Sequence, residues 1–208
     1  MRFSMMGCLT LVTAALCWHS ARAAPAFTPA ATDALEPSLA QRILASADHR
    51  GLPFAIVDKM AATLTVYRAD GRLVGTTPAL LGQTPGDRSV PGVGERAQSG
   101  QLRADDRTTP AGRFVSEPGH NLAGEAIVWI DYPSALAIHR VRPGRSQERR
   151  VQGLASPDAR DRRLSAGCVV VPEAFFDAVV KPVLGRGPGV VYVMPEVSSS
   201  PIAQQAQL

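Results

Sequence analysis

The chain of 208 residues is short of three things: cysteine, aromatic residues and long apolar runs. Only three cysteines occur, too few for a disulfide framework, and the length suffices to bury a core without such staples. Past the first twenty-odd residues no apolar run approaches the roughly 20 needed to span a bilayer, which excludes an integral membrane protein once the N-terminus is removed. Aromatic residues make up 5% and charged residues 19%, against 45% hydrophobic. That balance excludes disordered and collagen-like chains and fits one soluble domain, with room for a small appendage.

The apolar run that does exist lies at the start. Arg2 supplies a positive charge, Met5 to Trp18 is almost entirely apolar or small, and Ala21-Arg22-Ala23 places small residues at −3 and −1 of a cleavage site. This is the pattern of a secretory signal peptide over 1–23, with Ala24 the new N-terminus. A single membrane anchor is the alternative, for which the stretch is short. Leu16 directly before Cys17 argues against lipoprotein processing there. Export removes Cys8 and Cys17 and leaves Cys168 alone, unable to form an internal disulfide. A lone thiol is a buried small hydrophobe, an intermolecular bridge or a reactive group, and its surroundings must decide.

Charge is uneven. The formal charge of +4 falls to +2 without residues 1–23, yet residues 140–163 hold eight arginines against Glu148, Asp158 and Asp161. The basicity therefore sits in one loop-like segment. With no interleaved aromatic residue and export removing the usual partner, nucleic-acid binding is disfavoured, and an anionic extracytoplasmic substrate fits better.

The pattern divides the chain into a signal (1–23), an Ala/Pro/Thr-rich leader with an N-terminal helix (24–52), a main domain (53–196) and a polar tail (197–208). Leu35, Leu39, Ile43 and Leu44 predict a helix within 33–49, stopped by Gly51. Phe54 to Asp58 and Thr63 to Arg68 read as strands, with Asp70-Gly71 turning into a partner strand from Leu73 to Leu81. Residues 82–112 read as a long loop. Arg113 to Ser116, Ala126 to Ile130, Leu136 to Val141 and Val190 to Met194 are further strands. Pro172 starts a helix carrying Ala174, Phe175, Val179 and Val180. The sum is mainly β, with an N-terminal helix and one or two further short helices.

Three elements can carry chemistry. Gly167 before Cys168 permits close backbone approach to a ligand, and N–H groups beside such a cysteine can aim at a developing oxyanion. A free thiol is only a few per cent thiolate at neutral pH, so it needs a base. His49, His120 and His139 survive export, and His139 ends an alternating apolar strand where the basic segment begins. Thr109-Pro-Ala-Gly-Arg-Phe114 shapes a turn into a strand. His120 and Glu125 lack metal-ligand spacing with any third group. Taken singly, each element also reads as plain structure.

Together they resemble the L,D-transpeptidase catalytic domain (YkuD-like) family over about 54–195. Thr109 to Phe114 is similar to its Thr-Pro-x-Gly-x-Phe element, Ile138-His139 to its Ile-His element, and Ser165-Ala-Gly-Cys168 to its Ser-His-Gly-Cys motif. Ala166 stands in place of the usual histidine, Val170 in place of the usual Arg or Asn, and Arg140 where a small residue is common. The resemblance implies a β-sandwich-like fold, Cys168 as nucleophile and His139 as base, without metal or cofactor. It implies Gly167, with Ser165 and Ala166, as oxyanion support, through the Gly167 and Cys168 N–H groups. It also implies peptidoglycan stem peptides as donor and acceptor, and carbapenem β-lactams as acylating partners. Arg140, Arg163 and Tyr132 are the expected substrate-binding residues. Hydrolysis of the same stems, as carboxypeptidase or endopeptidase, is the first alternative to cross-linking. A non-catalytic murein-binding module, for which Ala166 gives the motive, is the second.

Overall fold

The computed structural model describes residues 38–196 apart from 143 and 145. The signal segment, the leader up to residue 37 and the tail from 197 lie outside the described residues. Helix α1 (Leu39–Ser46) opens with a capping box: the Ser38 hydroxyl accepts from the Gln41 N–H, and the Gln41 side chain accepts from the Ser38 N–H. The strands are β1 (Phe54–Asp58), β2 (Thr63–Tyr67), β3 (Leu73–Pro78), β4 (Leu81–Gly82), β5 (Gly112–His120), β6 (Ala126–Asp131), β7 (Leu136–Arg140), β8 (Arg163–Ser165), β9 (Val169–Val171) and β10 (Gly189–Val193). The mainly β expectation holds.

Eight strands form one sheet in the order β3-β2-β1-β10-β5-β6-β7-β9, and β4 pairs with β8. β5 joins the two halves. Its first part, to Ser116, pairs with β10, and its second part, from Glu117, pairs with β6. The strand expected from Arg113 to Ser116 runs on to His120, with Pro118 opposite Val128 in the part that pairs with β6. The two halves face each other across a core of Val57, Leu64 and Val66 on one side and Val128, Ile138 and Val169 on the other. β1 and β10 run parallel and are covered on both faces: Ala55 and Val191 enter that core, while Phe54, Ile56, Val190 and Tyr192 pack with Ile43 of α1. Burial on both faces is why these strands read as unbroken apolar runs.

Three expectations change. Leu73 to Leu81 is not one strand: β3 ends at Pro78, and the chain crosses to the opposite edge of the sheet, where Leu80 bridges Val170 of β9. The late helix is three pieces, α4 (Glu173–Phe175), a π turn (Phe176–Val180) and α5 (Lys181–Leu184). Pro182 has no N–H for the Ala178 carbonyl, which favours the wider turn before it. The arginine-rich segment is not a loop: as residues 82–112 hold helix α2 (Val93–Gln98), so it holds helix α3 (Gln147–Ala155), a 3₁₀ turn (Ala159–Arg162) and β8. With Leu154 and Gly153 as its buried positions, α3 carries too little apolar pattern to be seen in advance.

Candidate active site

Parallel pairing of β7 with β9 sets Ile138 beside Val169 and His139 beside Val170. The same register carries Cys168 next to Ala137. Alternation then sends Ile138 and Val169 into the core and His139 and Cys168 to the other face. There both line a cavity of about 810 Å³, with Ser165, Ala166, Gly167 and Tyr132 also on its wall.

Two carbonyls of the turn that holds the thiol are fastened by side-chain hydroxyls. The Ser165 hydroxyl donates to the Cys168 carbonyl (2.6 Å) and accepts from the Gly167 N–H (3.1 Å). The fully buried Thr109 accepts from the Gly82 N–H (2.9 Å) and donates to the Gly167 carbonyl (2.6 Å). Gly167 has a φ of 126°, and a Cβ there would lie 2.9 Å from the Thr108 carbonyl oxygen, so only glycine fits. The Gly167 N–H, expected together with that of Cys168 as an oxyanion donor, is engaged by the Ser165 hydroxyl. Thr109, which reads as a turn residue, is the anchor of this turn.

Histidine and thiol are both poised in their neutral forms. The His139 Nδ1 lies 2.7 Å from the Arg140 carbonyl. A carbonyl only accepts, so Nδ1 carries the proton and Nε2 keeps its lone pair. Burial lowers the His139 pKa to about 4, against the pull of that carbonyl, with Arg142 and Arg150 pushing the same way as burial. Burial raises the thiol of Cys168, while the Ala137 backbone, Arg142 and Arg150 favour its anion. Sγ also lies 3.5 Å from the Ala135 carbonyl.

The expected substrate arginines are not at the cavity. Arg140 is one residue from His139 and therefore on the opposite face, where it pairs with Glu173 at 2.5 Å. Arg163 pairs with Glu196 at 2.6 Å and also donates to the Gly82 and Lys59 carbonyls. Among the described residues, the arginines lining the cavity from this stretch are Arg142 and Arg150. Tyr132 is on the wall, set edge-on against Trp129 with ring centroids 4.9 Å apart. Sequence reasoning missed Arg142 and Arg150 because their helix and strand-end settings were not legible in an arginine-dense stretch. Among the described residues no group of three or more His, Cys, Asp and Glu could hold a metal ion, and no helix is long and apolar enough to cross a membrane.

The outer wall comes from residues 82–112, which contain α2. Arg96 forks onto Asp106 through Nε (2.7 Å) and Nη2 (2.5 Å), and the Arg103 N–H adds a third donor at 2.9 Å. These bonds hold the Asp106 carboxyl at about 2.

No family model and no curated protein matches the chain. Among solved structures it is similar to the L,D-transpeptidase LdtMt1 in complex with imipenem, at 18% identity, 68% of this chain, 58% of that one and a TM-score of 0.39. It is similar to the helical cell shape determining protein Pgp2 from Campylobacter jejuni, at 17% identity, 76% and 52% coverage and a TM-score of 0.46. The catalytic domain of the E. faecium L,D-transpeptidase gives 20% identity, 68% and 96% coverage and a TM-score of 0.37. The chain thus spans less than two thirds of LdtMt1 and of Pgp2.

Proposed function

We propose that this protein is a cysteine acyltransferase of the cell envelope, an L,D-transpeptidase that joins peptidoglycan stem peptides through a Cys168 thioester. The observation that carries this reading is the His139–Cys168 arrangement: neighbouring strands, one cavity, and an Nδ1 tied to a carbonyl so that Nε2 is the base. The motifs quoted for the family resemblance supply the substrate class, and the signal-like residues 1–23 support the envelope location.

Chemistry follows from the resting states. With a neutral thiol and a neutral imidazole, attack and proton transfer go together: the sulfur adds to the carbonyl of an L-centre while its proton moves to Nε2. The Cys168 N–H faces the oxyanion. His139 returns the proton to the departing D-residue amine, the C–N bond breaks and a thioester remains. An acceptor amine gives its proton to His139, forms the new amide and releases the thiol. No resident metal or cofactor enters any step.

The test is incubation with a carbapenem and, separately, with disaccharide tetrapeptide, read by mass spectrometry. Acylation at Cys168 and cross-linked dimers are expected. Trimmed monomers without dimers would make it a hydrolase, and absence of any adduct would leave a binding module.

A further inference from the structure

We propose that Arg150 is the residue that recognises a substrate carboxylate beside the thiol. The arginines of the basic segment are otherwise accounted for within the described residues. Arg140 pairs with Glu173, Arg142 with Glu125, Arg160 with Asp158 and Arg163 with Glu196. Arg162 donates to the Ala61, Ala62 and Ser156 carbonyls. Arg149 is exposed and lies off the cavity.

Arg150 differs from all of them. Its side chain has no carboxylate and no hydrogen bond acceptor among the described residues, yet its Nε is buried. A buried guanidinium N–H with no acceptor is costly unless one arrives. It half emerges into the cavity shared with Cys168 and His139, and its charge reaches both groups. A guanidinium fork matches a carboxylate, with two parallel N–H bonds. Arg142 cannot serve equally, because its Nε is already 3.1 Å from Glu125, a carboxylate that Asn121 holds in place at 2.6 Å. The ligand class is therefore an acyl donor bearing a free carboxylate close to the attacked carbonyl. That the donor is a stem peptide rests on the function proposed above; the anion site itself does not.

The experiment uses two small thiol reagents of similar size, anionic iodoacetate and neutral iodoacetamide. Both alkylate the sulfur and displace iodide, and peptide mapping reads modification at Cys168 alone. The ratio of the two rates cancels general changes in thiol reactivity. Arg150→Gln should lower the iodoacetate-to-iodoacetamide ratio about tenfold, Arg150→Lys should lower it less, and Arg149→Gln should leave it unchanged. An Arg150→Gln ratio equal to the parent's overturns the proposal, as does an equal fall in Arg149→Gln. Arg150→Lys keeps the charge and guards against loss of fold. A second arm compares stems with free and amidated carboxylates: the parent should prefer the free acid and Arg150→Gln should lose that preference. A parent inert to every stem would sink the transpeptidase reading, while the alkylation ratio would still decide the role of Arg150.

Discussion

The Thr109 hydroxyl donates to the Gly167 carbonyl at 2.6 Å, joining positions 58 residues apart. That bond orients the peptide that joins Gly167 to Cys168, and the same oxygen accepts from the Gly82 N–H of β4. One side chain thus ties the outer wall of the cavity to the turn that presents the thiol.

Removing that oxygen strands two partners in the interior. Thr109→Val keeps the shape but leaves a buried N–H and a buried carbonyl unmet, at a cost of about 1–3 kcal/mol. Chemical denaturation should show that loss, and carbapenem acylation of Cys168 should slow with it. Thr109→Ser, which restores the hydroxyl, should recover most of both. Equal stability of the Val variant and the parent would show that the bond contributes nothing.

The proposed nucleophile and base are legible only as a set: a glycine before a lone cysteine and a histidine ending an alternating strand each read as plain structure alone, and it is their order and spacing with the Thr109 to Phe114 element that sets them apart. Most strands are legible through their apolar period, whereas the short β4 and β8 and the end of β3 at Pro78 are not. Arg140 and Arg163 were misplaced because proximity in sequence is a poor guide within a strand. One step along β7 reverses the face, so Arg140, the neighbour of His139, points at Glu173. The part played by Thr109 was hidden because its partners, Gly82 and Gly167, lie in other segments and only register brings them together. Arg150 is visible as a cavity residue only once α3 is seen.

The fully buried Lys59 predicts a second weak point away from the cavity. Its ammonium pairs with Asp87 at 2.7 Å and with Glu196 at 3.2 Å, joining the start of the 82–112 excursion to the end of the domain. Glu196 also takes Arg163. Lys59→Met leaves two carboxylates without their shared cation, and removal of one partner of a buried pair costs about 3–5 kcal/mol. A fall in the midpoint of urea unfolding is expected, with acylation of Cys168 unimpaired in the protein that remains folded. An unchanged midpoint would deny the clip any structural role.

Asp106 predicts how the outer wall responds to acid and to substitution. Its carboxyl sits at about 2, held there by the Arg96 fork and then the Arg103 N–H. A folded-state pKa below the ordinary aspartate value contributes stability above that value, and the contribution is lost as pH falls through about 2. The wall should therefore keep its structure throughout mildly acidic conditions. Asp106→Asn keeps the size but not the charge, so limited proteolysis at neutral pH should cut within residues 82–112 in the variant and spare the parent. Equal resistance would show that the wall holds without this pair.

The pH dependence of stability offers a test of His139 that needs no substrate. Its pKa falls from 6.5 in the unfolded chain to about 4 in the fold, chiefly through burial. Below pH 6.5 the unfolded state takes up a proton that the folded state refuses until about pH 4, so stability declines as pH drops across that window. The full shift corresponds to about 3 kcal/mol, all of it present above the upper limit and gone below the lower one. Urea unfolding of the parent at a series of pH values between these limits should show that slope, and His139→Gln should flatten it. The same substitution removes the proposed base: acylation of Cys168 at neutral pH should fall by about 10²–10⁴. Part of the rate should return only at a pH above the ordinary thiol range, because burial raises the Cys168 pKa. A variant that keeps both the parent's stability slope and its rate profile would place His139 outside the proton path.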